Sequence, residues 1–160
     1  MVECASELRR YELAQRYLVE AAAHMDAHDF SFYHPILGIR RAELALEQGD
    51  WDAAGSQAQA LLALPSSASR VRVRALTLVG RLEARRGTGD PWVAFDGAMA
   101  ASSPHEPQER SPLHAARAEA AWLCGDPERT WSEAERGLAL AFEPSSSPEP
   151  WWWAELAWWA

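Results

Sequence analysis

The sequence contains no lysine and no asparagine, so its positive charge comes from fifteen arginines alone. Without lysine the chain cannot form the GxxxxGK[ST] loop that binds phosphates in P-loop ATPases. The formal net charge of −8 argues against general affinity for nucleic acid. The preference for arginine, together with abundant alanine, is typical of a GC-rich bacterial gene.

Cysteine and long apolar runs are also scarce. Cys4 and Cys124 lie far apart and in no motif, which favours two free thiols over a disulfide, although a disulfide remains the alternative. Glu3, Glu7 and three arginines interrupt the first sixteen residues, unlike a signal peptide. No run approaches the roughly 20 apolar residues of a membrane span. We therefore expect a cytoplasmic protein that does not associate with membranes.

Recognisable catalytic and metal-binding motifs are missing as well. The serines cluster in turn-like segments, and none lies in a nucleophile-elbow pattern. His24 and His28 are four residues apart and could place two imidazoles on one metal, but no third ligand has a diagnostic spacing. We expect no catalytic residue, no metal and no cofactor, and an enzyme is the least favoured class.

What the chain does contain is a repeated helical corner. Gly49-Asp50 follows one apolar-periodic segment and precedes another, because glycine accepts the left-handed conformation at a helix end and aspartate caps the next helix. The corner recurs at Gly89-Asp90-Pro91 and Gly125-Asp126-Pro127, and a degenerate copy lies at Arg10-Tyr11. The steps from 11 to 51, 91 and 127 are 40, 40 and 36 residues. This period predicts stacked helix pairs, as in a helical solenoid.

The pattern predicts an all-α domain over residues 1–160. Helix pairs are expected at about 1–28, 31–64, 69–101 and 112–142, with a terminal helix at 150–160 and a mobile linker at 102–111. Ala42, Gly80 and Ala118 stand seven residues before a corner glycine, where a small side chain lets two antiparallel helices approach closely.

The terminal segment is unusually rich in tryptophan. Because five indoles in nine residues cannot all face one neighbour, they predict an association surface, and a homo-oligomer is one possible result. The five residues are Trp151, Trp152, Trp153, Trp158 and Trp159. Both ends of the chain resemble the middle of a repeat. A natural end with an apolar cap and a piece of a longer repeat array are both compatible with this pattern.

The segments GDWDAA, RALTLVGRLEARRG, HAARAEAAWLCGDPERTWSEAERGLALA and PWWWAELAWW resemble the tetratricopeptide-type C-terminal region of bacterial LuxR-type signal-transduction ATPases and cyclase-linked ATPases. The resemblance implies a right-handed superhelix of antiparallel helix pairs, a tetratricopeptide-like α-solenoid whose concave groove binds a partner. The chain departs from that pattern in its longer period, in Ser66 in place of the final proline, and in Thr130 at the position of Ala54. No helix-turn-helix for DNA is visible.

In that geometry the first helix of each pair lines the groove. The residues placed there are Glu43, Glu47, Arg74, Thr77, Arg81, Arg85, Glu119 and Trp122, flanked by Ile36, Ile39, Leu46, Ala84, Ala115 and Leu123. The groove would then alternate acidic, basic and acidic along the repeats.

Two groups of these side chains admit more than one interpretation. The arginine stripe at 70, 74, 81 and 85 is best explained by pairing with Glu43, Glu47 or Glu119 on adjacent helices. Capture of an acidic peptide or carboxylate by the guanidinium groups is the second explanation, and nucleic-acid phosphate is the third. The tryptophans near the corners, at 51, 92, 122 and 131, are interpreted as repeat packing before ligand contacts.

We therefore expect a non-catalytic protein-interaction module of a bacterial regulatory system. Its partner would be a protein or peptide, including another domain or subunit of that system. The alternative is a domain that senses a small-molecule inducer, such as a sugar, in a tryptophan-lined pocket.

Overall fold

The computed structural model describes residues 1–65, 69–104, 106–141 and 150–160, and every regular element within these ranges is helical. The α-helices are α1 (Val2–Glu7), α2 (Tyr11–Ala27), α3 (His34–Glu47), α4 (Trp51–Leu62), α5 (Ser69–Arg86), α6 (Pro91–Ala101), α7 (Pro107–Leu123), α8 (Pro127–Ala141) and α9 (Pro150–Trp159). A short 3₁₀ helix at Ser31–Tyr33 precedes α3. The all-α prediction is confirmed. None of the described helices combines the length and the apolar character that crossing a membrane requires.

The helix corners are built as the sequence predicts. Gly49 has φ +83°, and the Asp50 carboxylate accepts a hydrogen bond of 3.1 Å from the Ala53 N–H. Asp90 and Asp126 cap α6 and α8 in the same way. A side-chain cap of this kind stabilises a helix by about 1 kcal/mol, because it satisfies an N–H group that lacks an intrahelical partner.

The first corner reaches the same geometry without glycine. Arg9 has φ +56°, in the left-handed region that the other corners fill with glycine. Its guanidinium Nη1 donates to the Tyr11 hydroxyl over 2.7 Å. The degenerate corner predicted at Arg10-Tyr11 is therefore present as a turn between α1 and α2.

The start of α7 differs from the prediction. We expected a linker through Ser111 and a helix from Pro112, but α7 begins at Pro107. Pro107 occupies the first helical position, where a missing N–H costs nothing. Pro112 lies inside the helix, at the expense of one backbone hydrogen bond. Ser111 is buried, and burial of this turn offsets the loss of the backbone hydrogen bond at Pro112.

The chain divides into two compact units, Met1–Val71 and Arg72–Ala160. In the first unit one cluster of buried apolar side chains comes from α1, α2 and α3, and its members are Ala5, Ala14, Leu18, Leu37 and Leu44. Helix α4 packs on α3, and a Cβ added to Gly38 would lie 3.0 Å from Leu61 Cδ2. Ala42, predicted to permit close helix approach, is fully buried.

The second unit has a cluster of buried apolar side chains shared by α5, α6 and α7. Its members are Val73, Phe95, Ala98, Leu113, Ala116 and Ala120. A Cβ added to Gly80 would lie only 2.5 Å from Phe95 Cε1, so the predicted small residue is required there. Helix α8 packs on α7, and α9 packs on both. Leu156 of α9 is fully buried against Gly137.

Candidate interaction surface

The residues predicted for the groove fall into both units. Glu43 and Glu47 belong to the first unit, where Glu43 is half-buried and accepts a 3.2 Å hydrogen bond from Arg40 Nη1. The remaining predicted positions belong to the second unit, on α5 and α7. Thr77 donates its hydroxyl to the Val73 carbonyl of its own helix. Arg74 is half-buried.

Arg81 and Arg85 form ion pairs across three helices. Arg85 Nε contacts Glu119 Oε1 at 2.6 Å, and Arg81 Nε lies 3.2 Å from Glu119 Oε2. Arg81 Nη2 also donates to Glu155 Oε1 on α9. Of the three explanations for the arginine stripe, pairing with Glu119 is therefore observed for two of its members. Glu155 is a second acidic partner that the sequence analysis missed.

Trp122 continues this line of side chains toward the end of α7. Its side chain is 60% exposed, and its ring centroid lies 5.7 Å from that of Trp159 on α9. We call the surface formed by Arg81, Arg85, Glu119, Trp122, Glu155 and Trp159 the Arg–Trp face. It combines a neutralised charge cluster with a partly exposed pair of indoles.

The other tryptophans have different environments. Trp92 lies between two guanidinium groups, with Arg129 Cζ 3.2 Å and Arg117 Cζ 5.3 Å from the ring centroid. Trp92 is thus a packing residue, as predicted. Trp131 on α8 is 51% exposed, and Trp51 is half-buried.

The tryptophans of α9 whose side chains the structure describes differ in exposure. Trp152, Trp153 and Trp159 are half-buried, whereas Trp158 is 81% exposed. The side chain of Trp151, like Ser66, lies outside the described part of the chain. Of the predicted association surface, Trp158 is therefore the member that the structure leaves most accessible.

A charged network on α6, α7 and α8 was not predicted. Its members His114, Arg117 and Glu133 are buried, whereas Asp96 on α6 is exposed. Glu133 is 2% exposed, and its two oxygens are bonded to His114 Nδ1 at 2.8 Å and Arg117 Nε at 3.0 Å. Arg117 Nη1 also donates to Asp96 over 2.7 Å. Burial alone would raise the pKa of Glu133, but the hydrogen bonds and positive charges of His114 and Arg117 lower it below its usual value.

The buried part of this network joins α7 and α8. Both carboxylate oxygens of Glu133 are occupied, and the side chains of His114 and Arg117 are almost fully buried. One sequence signal could have indicated this network. His114 and Arg117 are ionisable residues three positions apart within the alanine-rich run of α7. Such a pair on a buried face requires a partner of opposite charge on a neighbouring helix.

The two histidines that were considered for a metal site, His24 and His28, do not form a complete site. The rings of His24 and His28 lie 4.1 Å apart, and His28 Nδ1 is 2.8 Å from the His24 carbonyl oxygen. His34 instead pairs with Asp26 over 3.0 Å. Among the residues that the structure describes, no group of three or more histidine, cysteine or acidic side chains could hold a metal ion. Cys4 and Cys124 are exposed free thiols.

An open cavity of about 980 Å³ lies beside the start of α2. Its lining comes from the turn before α2 and the first half of that helix, within residues 9–20, and includes Arg9, Arg10 and Arg16. No tryptophan occurs in that segment. The cavity therefore does not correspond to the tryptophan-lined pocket of the inducer-sensing alternative.

In comparisons with known proteins, no family model, no curated protein and no solved structure matches this chain.

Proposed function

We propose that the chain is a non-catalytic protein-interaction module of tetratricopeptide type, in which the Arg–Trp face binds a segment of a protein partner. The repeated Gly-Asp corners, the close helix contact at Gly80 and the helix pairs support an arrangement of this type. A bacterial regulatory system is the setting that the sequence resemblance suggests.

The observation that carries the proposal is the exposure of Trp122. A large indole that is 60% exposed, next to a second indole and an ion-paired rim, has the composition of a protein-binding hot spot. Tryptophan and arginine are the residues most enriched at such sites, because they combine large contact area with hydrogen bonding.

The ion pairs bear on which kind of partner segment the Arg–Trp face would bind. Because Arg81 is held by Glu119 and Glu155, and Arg85 by Glu119, an acidic peptide would have to displace carboxylates already in place. We therefore infer that the partner segment is chiefly apolar or aromatic and inserts a side chain beside Trp122. Its polar groups would contact the rim of the cluster.

The inducer-sensing alternative has less support. A small-molecule site is concave and buries most of its ligand. Trp122 and Trp131 instead project from the surface with more than half of their area exposed. Of the two candidates, an interaction surface fits these side chains better than an enclosed pocket.

The proposal can be tested by panning a library of displayed random peptides against the intact chain. We expect enrichment of a peptide family with a common apolar or aromatic anchor. Synthetic members of that family should bind in fluorescence anisotropy. In Trp122→Ala the dissociation constant should rise by at least about tenfold, as expected for the loss of a hot-spot residue.

Trp131→Ala is the matched control, since it removes an exposed indole from α8 and should leave peptide binding unchanged. Failure to enrich any peptide family, or equal binding to Trp122→Ala and the unmodified chain, would contradict the proposal. Charge reversal at Arg81 is a poorer test, because it would leave Glu119 and Glu155 facing a like charge and weaken the docking of α9.

A further inference from the structure

Two histidine rings lie side by side at the end of α2. His24 belongs to the last turn of this helix and His28 is its C-cap residue, so the two side chains project from one face. Their ring centroids are 4.1 Å apart, and both side chains are exposed. The sequence spacing alone did not favour a metal here. The structure adds two observations that the spacing does not contain.

The first observation concerns the position of the hydrogen on the His28 ring. His28 Nδ1 lies 2.8 Å from the carbonyl oxygen of His24. Because a carbonyl oxygen can only accept a hydrogen bond, Nδ1 carries the hydrogen, and the neutral ring has its lone pair on Nε2. Histidines that bind metals usually donate their second nitrogen to a carboxylate or a backbone carbonyl, which orients the ring. The Phe30 ring, stacked on His28 with centroids 6.1 Å apart, supports the same orientation.

The second observation is the distance between the two rings. A metal ion about 2.1 Å from one nitrogen of each ring lies about 3.2 Å from each ring centroid. Two such rings would have centroids about 4.5 Å apart at the right angle of a tetragonal ion, and about 5.2 Å apart at the tetrahedral angle. The observed 4.1 Å is closer to the first value. The pair therefore suits an ion with tetragonal geometry, which with nitrogen ligands is typical of Cu²⁺ and Ni²⁺.

We propose that His24 and His28 bind a divalent copper or nickel ion through one nitrogen of each imidazole, with Nε2 as the ligand atom of His28. The chain supplies two ligands, and water fills the remaining positions of the ion. Such a site is open and labile, in contrast to the closed four-ligand sites of structural zinc. The site belongs to the first unit, whereas the Arg–Trp face belongs to the second, so this inference goes beyond the proposed function.

The neighbouring histidine is not part of the site. His34 Nε2 lies 3.0 Å from Asp26 Oδ1, so this nitrogen already has a partner. His34 therefore provides a matched control, because it is a partly exposed histidine of the same unit that is not paired with a second imidazole. A site that depends on the two rings of α2 should be insensitive to its removal.

The test is a calorimetric titration of the full-length chain with Ni²⁺ at neutral pH. Cys4→Ser and Cys124→Ser are included in every sample, because both thiols are exposed and thiols also bind such ions. We expect saturable binding of one ion per chain. His24→Ala and His28→Ala should each raise the dissociation constant by at least about tenfold, since even the loss of an outer-shell partner has an effect of this size. His34→Ala should bind like the parent chain.

A second measurement identifies the ligand atoms. Electron paramagnetic resonance of the Cu²⁺-loaded chain should show coupling to two imidazole nitrogens, and to one in His28→Ala. Because both side chains are exposed, circular dichroism of the alanine variants should match that of the parent chain. The absence of saturable Ni²⁺ binding, binding that survives unchanged in His24→Ala and His28→Ala, or an equal loss in His34→Ala would overturn the assignment. None of these results depends on peptide binding at Trp122, so the two proposals fail separately.

Discussion

Replacing Glu133 with glutamine tests whether the buried network holds the second unit together. The substitution keeps the size of the side chain but removes the charge that His114 and Arg117 share. Removing one partner of a buried ion pair typically costs 3–5 kcal/mol, because the other partner is left buried and uncompensated. Arg117 retains Asp96, and the new amide oxygen can still accept one bond. We therefore expect a loss near the lower limit, about 3 kcal/mol.

The loss should depend on pH in a defined direction. The pKa of Glu133 in the folded chain lies below its ordinary value of 4.5, so the unfolded state takes up this proton first as pH falls. The carboxylate therefore contributes stability above about pH 4.5, and this contribution disappears as pH falls through the lowered pKa. The difference between the unmodified chain and Glu133→Gln should be largest near pH 7 and should shrink in acid.

Urea unfolding followed by tryptophan fluorescence is the suitable assay. Eight of the nine tryptophans lie after Arg72, so the signal reports chiefly on the second unit. With a slope of about 1–3 kcal/mol per molar urea, a loss of about 3 kcal/mol lowers the midpoint by about 1–3 M. Glu135→Gln on the exposed side of the same helix is the control and should change stability by less than about 0.5 kcal/mol. Equal midpoints for Glu133→Gln and the unmodified chain would refute the structural role of the network, and a deficit independent of pH would refute the electrostatic explanation.

For three further substitutions the structure predicts whether stability rises or falls. Gly80→Ala should lower the free energy of unfolding, measured with urea, by about 1–3 kcal/mol, because the added Cβ would lie 2.5 Å from the buried ring of Phe95. Gly97→Ala, whose Cβ would make an ordinary contact at 3.5 Å, should instead stabilise by about 0.4–1 kcal/mol, and equal effects of the two would contradict the packing argument. The pKa of Glu83 is raised, first by burial and then by the charge of Asp90, so its stabilising effect is present in acid and is lost as pH rises through the raised value. Glu83→Gln should accordingly raise the urea midpoint near pH 7 and lose this advantage near pH 4, and an unchanged midpoint near pH 7 would contradict it.

Local rules predicted the helix corners and the all-helical content well. Gly49 and Asp50 specify a helix end and the next helix start through φ and capping alone, so no knowledge of the tertiary structure was needed. The repeat pattern also predicted a small residue at Gly80, and in the structure the Phe95 ring packs against this glycine.

The start of α7 was mispredicted because two local signals conflicted. Prolines at 107 and 112 both favour the first turn of a helix, and the cost of an internal proline, about 3 kcal/mol, favours the later start. Burial of Glu109 and Ser111 favours the earlier start, and burial is a property of the tertiary contacts. Composition alone contains no information about which turn will be covered.

Sequence periodicity could not predict all of the ion pairs between distant residues either. The spacing along α5 predicted that Arg81 and Arg85 share a face, but their partners lie 34 to 74 residues away. Glu119 could be proposed because the repeat placed it on the adjacent helix. Glu155 could not, because the tryptophan-rich segment offered no corner from which to count its register.

These pairs change what the surface of the second unit can recognise. From the sequence, capture of an acidic peptide or carboxylate by the arginine stripe was the second explanation, after pairing with glutamates on adjacent helices. In the structure Glu119 and Glu155 neutralise Arg81 and Arg85 within the unit, so the net charge of this cluster is close to zero. The most exposed indole of the Arg–Trp face is Trp122. We therefore expect recognition at this face to depend mainly on apolar contact and shape, and its affinity to change little with salt concentration.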